Sequence, residues 1–133
     1  MGVIYHTNYL VWCEIGRTDL LRQLGATYAE LERDGVFLIV SEARVSFRAP
    51  AVYDDLIRVK TRLAKVRSRG VSFAYQIENA ETETVLARAE TDLICVGRER
   101  KPRQLPAEIH ALLARHLSET GQEGTIGALS GVS

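Results

Sequence analysis

Glu14 and Arg17 stand three residues apart on a segment whose neighbours, from Tyr9 to Ile15, are mostly apolar. A carboxylate in that setting has two uses. It can serve as nucleophile or general base toward a carbonyl group. It can also form an ion pair with the arginine one turn on, worth roughly 0.2–0.5 kcal/mol if exposed. The pairing is the preferred reading, because ion pairs often occupy such positions inside folds. His6 lies eight residues before Glu14, in the run Tyr5-His6-Thr7-Asn8 where a helix should begin. A helix start offers free backbone N–H groups and a favourable dipole, which suit an oxygen that gains negative charge. The His6 ring can add a donor or an acid of pKa about 6.5, or it can simply pack or cap. Asn8 and Tyr9 are placed to orient a ligand, although capping and packing explain both.

Other constellations are missing. Ser41 and Ser72 have no histidine at interpretable spacing, so a serine triad is unsupported. His6, His110 and His116 are dispersed and lack metal-ligand spacing. Asp54 and Asp55 read as turn residues. There is no glycine-rich phosphate loop.

The elements that position these residues follow from periodicity. Tyr9, Trp12, Cys13, Gly16, Leu20 and Leu24 recur at helical spacing, and Leu10, Val11 and Ile15 widen the stripe. The spacing predicts an enclosed helix over Asn8–Leu24, capped by Thr7 or Asn8 and stopped by Gly25. Gly16 costs a helix about 1 kcal/mol against alanine, so a close backbone approach is expected there. Thr27–Glu30 is a capping-box pattern opening a short helix that ends at Gly35.

The period then changes to two. Val36 to Phe47 reads as a strand whose apolar parity slips near Ser41–Glu42, which predicts a bulge. Ile57–Leu63, Val71–Ile77 and Val85–Cys95 are further strands, with a hairpin at Arg67-Ser68-Arg69-Gly70. Pro106 opens a last amphipathic helix through Leu117. Residues 118–133 are rich in Gly, Ser and Thr and read as a loose tail, so residues 1–117 form the single domain. The expected class is α+β, an antiparallel sheet wrapped around the enclosed helix. Sheet edges and an apolar face would favour a homo-oligomer.

The 133 residues suit one core. Lys+Arg and Asp+Glu balance at 17 each, without the basic excess usual for nucleic-acid binding. Cys13 and Cys95 lie in apolar runs and read as buried thiols. No apolar stretch reaches transmembrane length and no leader pattern opens the chain, so a cytoplasmic protein is expected.

Gly2-Val3-Ile4-Tyr5-His6-Thr7-Asn8-Tyr9-Leu10 with Glu14 and Arg17 resembles the 4-hydroxybenzoyl-CoA thioesterase family, nearest to its small bacterial branch associated with the Tol-Pal system. Ala51-Val52-Tyr53-Asp54-Asp55, Ser72–Ile77, Lys101-Pro102 and Leu105-Pro106 add to the likeness, which runs from Gly2 to about Pro106. The resemblance implies a hot-dog fold, a dimer or tetramer with active sites at the subunit interface, and thioester hydrolysis without metal or cofactor. It assigns the carbonyl-holding N–H to His6. It assigns the catalytic carboxylate to an Asp three residues before the glycine that matches Gly2, together with a preceding strand. Neither lies in this chain. Two readings compete: a start upstream of Met1, or a chain that lacks both. The first is preferred, because a missing strand would leave an exposed sheet edge.

In other hot-dog branches a helix carboxylate performs the hydrolysis, which makes Glu14 the second candidate. Tyr5, Asn8 and Tyr9 are candidate substrate contacts. Arg67, Arg69 and Lys101, within a basic set that includes Arg98, Arg100 and Arg103, are candidate partners for the phosphates of coenzyme A, against the plainer reading of a solvated basic surface. The expected activity is hydrolysis of a short-chain or aromatic acyl-CoA. Two other readings are a non-catalytic module that binds acyl-CoA or an acyl-carrier protein and, less favoured, a hot-dog dehydratase.

Overall fold

The computed structural model describes residues 6–51, 55–117 and 122–125, with backbone alone at 6–7 and 122–125. Two helices, α1 (His6–Leu24) and α2 (Tyr28–Arg33), precede four long strands: β1 (Phe37–Phe47), β2 (Ile57–Arg67), β3 (Gly70–Asn79) and β4 (Val85–Val96). Helix α3 (Ala107–Leu117) and a short strand β5 (Gln122–Thr125) follow. All strand pairs are antiparallel, in the order β1-β4-β3-β2-β5.

Both early helices end the same way. Gly25 at φ +99° lets its own N–H reach the Arg22 carbonyl and the Ala26 N–H reach that of Leu21. Gly35 at φ +80° does the same with Glu32, and Val36 with Leu31. These paired bonds fill carbonyls that a helix end leaves open, and the positive φ is why glycine stands at both sites. Thr27 caps α2 as expected, its hydroxyl accepting from the Glu30 N–H at 3.2 Å.

The chain is already helical at His6, two residues before the expected Asn8, so Thr7 and Asn8 both lie inside α1 and neither is its cap. The register of β1 against β4 shifts between Val40 and Glu42, the bulge that the parity slip predicts.

Helix α1 lies across β2 and β3. Its Tyr9, Trp12, Cys13, Leu20, Leu21 and Leu24 pack onto Val59 and Leu63 of β2, Val71, Phe73, Tyr75 and Ile77 of β3, and Ala87, Ala89 and Leu93 of β4. Each large side chain buried this way contributes about 1.5–3 kcal/mol. Helix α3 adds Leu113 to the same core and packs beside β2. The wrapped-helix layout is the hot-dog architecture expected from the sequence.

The outer face of the sheet is charged. Glu78, almost fully buried there, takes Arg58 at 2.8 Å and Lys60 at 3.5 Å. Part of the expected loose tail is paired: β5 runs beside Arg58–Thr61 of β2, the edge opposite β1. The rest of that tail lies outside the described residues.

Candidate active site

Helix α1 brings its first turn to one end of the sheet. Tyr9 meets Phe47, the last residue of β1, edge-on at 4.9 Å between ring centroids, and Trp12 at 5.0 Å. The Ala51 N–H donates to the Tyr9 phenol. Burial is the main reason this phenol titrates above its usual value. These contacts fix the entry of α1 beside the end of β1 and the start of β2. Tyr9 is only 2% exposed and Asn8 3%, so both are walls of the core here. Tyr5 lies outside the described residues.

His6 is the first described residue of α1. The first turn of a helix carries N–H donors that have no partner within the helix. The helix dipole adds partial positive charge at that point. A carbonyl oxygen placed there would be held more strongly as it became an oxyanion.

Glu14 does not pair with Arg17 among the described residues, contrary to the preferred expectation. It projects from the open side of α1 with Leu10, Val11 and Ile15, all exposed. Arg17 is buried at the edge of the core, because it falls on the same stripe as Cys13 and Leu24. Its Nε donates to the Tyr28 hydroxyl at 3.2 Å and its Nη1 to that of Tyr75 at 3.5 Å. Tyr75 in turn bonds the Thr91 hydroxyl at 2.6 Å. Burial pushes the Tyr75 phenol up to about 12 and the Cys13 thiol likewise to about 12, so both keep their protons at neutral pH. Sequence reasoning missed this cluster by assigning Arg17 to Glu14. The signal was an arginine four residues after Cys13 and three before Leu20, on the buried stripe.

Glu14 is eight residues beyond His6, about 12 Å along the helix axis. A carboxylate at that distance does not reach a carbonyl held on the His6 N–H of the same chain.

The basic candidates gather at the other end of the sheet. Arg69 lies on the β2–β3 hairpin, and the loop carrying Lys101 folds against that hairpin through the Leu105 N–H to Ser68 bond at 2.8 Å. Arg98 ties the same loop to α2 through a 2.7 Å bond to the Arg33 carbonyl. Arg69 and Lys101 are exposed. Arg67 is partly committed, donating to Ser72 at 2.8 Å, while Ser72 donates to Asp92. The structure therefore puts Arg67, Arg69 and Lys101 at the same end of the sheet and His6 at the opposite end. Among the described residues no group of three or more His, Cys, Asp or Glu is placed to hold a metal ion, and no helix is long and apolar enough to cross a membrane.

Three comparisons bear on this arrangement. The family model for the thioesterase-like superfamily matches residues 1–113. The acyl-CoA thioester hydrolase YbgC of Escherichia coli O6:H1 is 35% identical over 111 residues, 83% of this chain and 82% of the relative. The solved structure of the DHNA-CoA thioesterase from Staphylococcus aureus superposes with a TM-score of 0.82 at 31% identity, covering 86% of this chain and 79% of that one. The protein TT1821 of Thermus thermophilus gives 0.81 at 34% identity, covering 87% and 88%. With its helix wrapped by an antiparallel sheet and its first turn presented at the sheet end, the chain belongs to the thioesterase-like superfamily, with the hot-dog fold.

Proposed function

We propose that this protein hydrolyses acyl-CoA thioesters to a carboxylic acid and free coenzyme A. The observation that carries the reading is the placement of the His6 end of α1 at the end of the sheet, beside Tyr9, Phe47 and Ala51, where the family resemblance puts the carbonyl-holding N–H. The thioester oxygen accepts from that N–H, water adds to the carbonyl carbon, and the tetrahedral oxyanion collapses with loss of the coenzyme A thiolate, which takes a proton. The family resemblance gives activation of the water to an Asp placed before Gly2. Glu14 of a partner chain is the second source. The reaction needs neither metal nor cofactor.

The acting unit is a dimer or a pair of dimers. Strand β1 is an edge of the sheet, and Ile39, Val40 and Phe47 on it are exposed, as are Leu10, Val11 and Ile15 of α1. An apolar face beside a strand edge that no described residue pairs favours association with a second copy. Antiparallel pairing of β1 about a two-fold axis sets the Phe47 end of one chain beside the Phe37 end of its partner. Phe37 pairs with Val96, next to the basic loop. One protomer then supplies the His6 N–H and the other the cations for the phosphates. The protein acts in the cytoplasm.

Free-thiol release from a panel of acyl-CoAs tests the reading, on this chain and on a version extended to any Asp encoded upstream. Activity confined to the extended version assigns the chemistry to that Asp. Activity of this chain that Glu14→Ala abolishes without unfolding assigns it to Glu14. Coenzyme A binding with no hydrolysis by either version would replace the enzyme with a module that binds acyl-CoA or an acyl-carrier protein.

A further inference from the structure

The outer face of the sheet gathers its cations in one row. On β2 the residues paired with Glu78, Gln76, Ala74, Ser72 and Gly70 of β3 are Arg58, Lys60, Arg62, Lys65 and Arg67. The alternate residues Ile57, Val59, Thr61 and Leu63 are buried on the helix side. The row is not the by-product of a basic chain, since Lys+Arg and Asp+Glu balance at 17 each.

A register shift keeps the row whole. Strict alternation from Arg58 would turn Lys65 and Arg67 inward. The shift between Leu63 and Lys65 adds one residue, so both return to the outer face while Val66 packs against the core. The row is also only partly neutralised. Glu78 takes Arg58 and Lys60, and Arg67 lies 3.9 Å from Asp92. Arg62 and Lys65 are exposed and have no carboxylate partner among the described residues. The dimer proposed through β1 leaves the row open, because β2 stands at the other side of the sheet.

The shape of the row selects its partner. Neighbouring cations stand about 6.6–6.8 Å apart, and the row from Arg58 to Arg67 is about 30 Å long. A helix sets carboxylates at i and i+4 about 6 Å apart, and about 20 residues span that length. A flat anionic membrane would also meet the carboxylates of Glu90, Asp92 and Glu42, which share the outer face around Arg44. Single-stranded nucleic acid needs aromatic platforms beside its cations. Strand β2 has no aromatic residue, and the rings of Phe73 and Tyr75 on β3 are buried in the core.

We propose that the outer face of β2 docks an acidic α-helix of a partner protein along Arg58, Lys60, Arg62, Lys65 and Arg67. Acidic motifs are commonly held by such cation clusters. Arg62 and Lys65 supply the attraction, since their charges are not already spent on this chain's own carboxylates.

The test uses the whole chain and two labelled peptides of about 20 residues, stapled into helices and equal in alanine, glutamine and glutamate content. One carries its glutamates three and four residues apart on one face, and the other spreads them round the helix. By fluorescence anisotropy at low salt the one-faced peptide should bind about 10-fold tighter or more, and its affinity should fall steeply with added salt. Arg62→Glu with Lys65→Glu should weaken it by about 10-fold or more, while Tm stays near the parent's, as at other exposed positions. If that double variant fails to fold, Arg62→Gln with Lys65→Gln reads the same loss. Equal binding of the two peptides, binding that survives these substitutions, or no binding of either overturns the proposal and leaves the row as an edge guard for β2. Tighter binding to vesicles of phosphatidylglycerol and phosphatidylcholine, or to poly(U), than to the one-faced peptide overturns it in favour of a membrane or a nucleic acid.

Discussion

Gly16 of α1 lies directly against the side chain of Thr61 on β2. A Cβ built on Gly16 would collide with Thr61 Oγ1 and come within 3.0 Å of Val59 Cγ1. The glycine therefore sets how closely the central helix approaches the sheet. Gly16→Ala gains about 1 kcal/mol of helix propensity but forces apart two branched side chains fixed in a strand, an overpacking cost of about 1–3 kcal/mol. The expected outcome is a net loss of stability by urea denaturation. The double variant Gly16→Ala with Thr61→Ala should recover most of it, and additive losses in that cycle would sink the account.

Glu78 predicts an acid limb in the stability profile. Burial by itself raises its pKa, but hydrogen bonds from Arg58 and Gln76 and the nearby Lys60 charge outweigh burial, and the net shift is downward. A carboxyl whose folded pKa lies below its unfolded value adds stability above the unfolded pKa and loses it as pH falls through the folded one. Asp92 shifts the same way, held low first by the Ser72 hydroxyl and then by Arg44. Stability should therefore decline below the ordinary carboxylate range. Glu78→Gln should cost about 1–3 kcal/mol at neutral pH, leaving Arg58 short of its partner, and should flatten the acid limb. Parallel pH profiles for variant and parent would contradict this.

The helix stops, the capping box, the bulge and the hairpin were legible because each depends on a few adjacent residues. Gly25 and Gly35 announce positive φ, and the parity slip from Val40 to Ala43 announces the bulge. The need for Gly16 was legible too, since a mid-helix glycine asks for a close neighbour. Which neighbour it meets was not, because Thr61 is 45 positions away and chosen by tertiary packing. Arg17 was misassigned for a related reason. Local spacing offered Glu14, while the depth of the stripe, which buries Arg17 and leaves Glu14 exposed, depends on where the sheet lies. The pairing of Gln122–Thr125 with β2 carried no apolar alternation to reveal it.

His6 separates a backbone role from a ring role. It is the first described residue of α1, and proline fits the first position of a helix because no intrahelical bond uses that N–H. His6→Pro removes the donor and should leave the helix in place. Loss of one oxyanion donor is expected to lower kcat by about 100- to 1000-fold. His6→Ala, which keeps the N–H, should stay within about 10-fold of the parent if the ring contributes only modestly. A large loss in both variants would assign the work to the imidazole.

Arg69 and Lys101 lie at the sheet end opposite the start of α1, so a single chain does not bring phosphate cations and the His6 N–H to one substrate. The two-fold dimer proposed through β1 would. Subunit mixing decides between these arrangements. A His6→Pro chain and an Arg69→Ala, Lys101→Ala chain should each be weak alone, the second through a KM raised by about 10-fold or more from lost charge-assisted contacts to phosphate. In the mixed dimer one site receives both defects. The other combines an intact His6 N–H from one chain with intact cations from its partner. Mixing after partial unfolding and refolding should therefore restore activity toward half of that expected for the heterodimers present, read by free-thiol release. If each site drew on one chain alone, every site in the mixture would carry a defect and mixing would restore nothing.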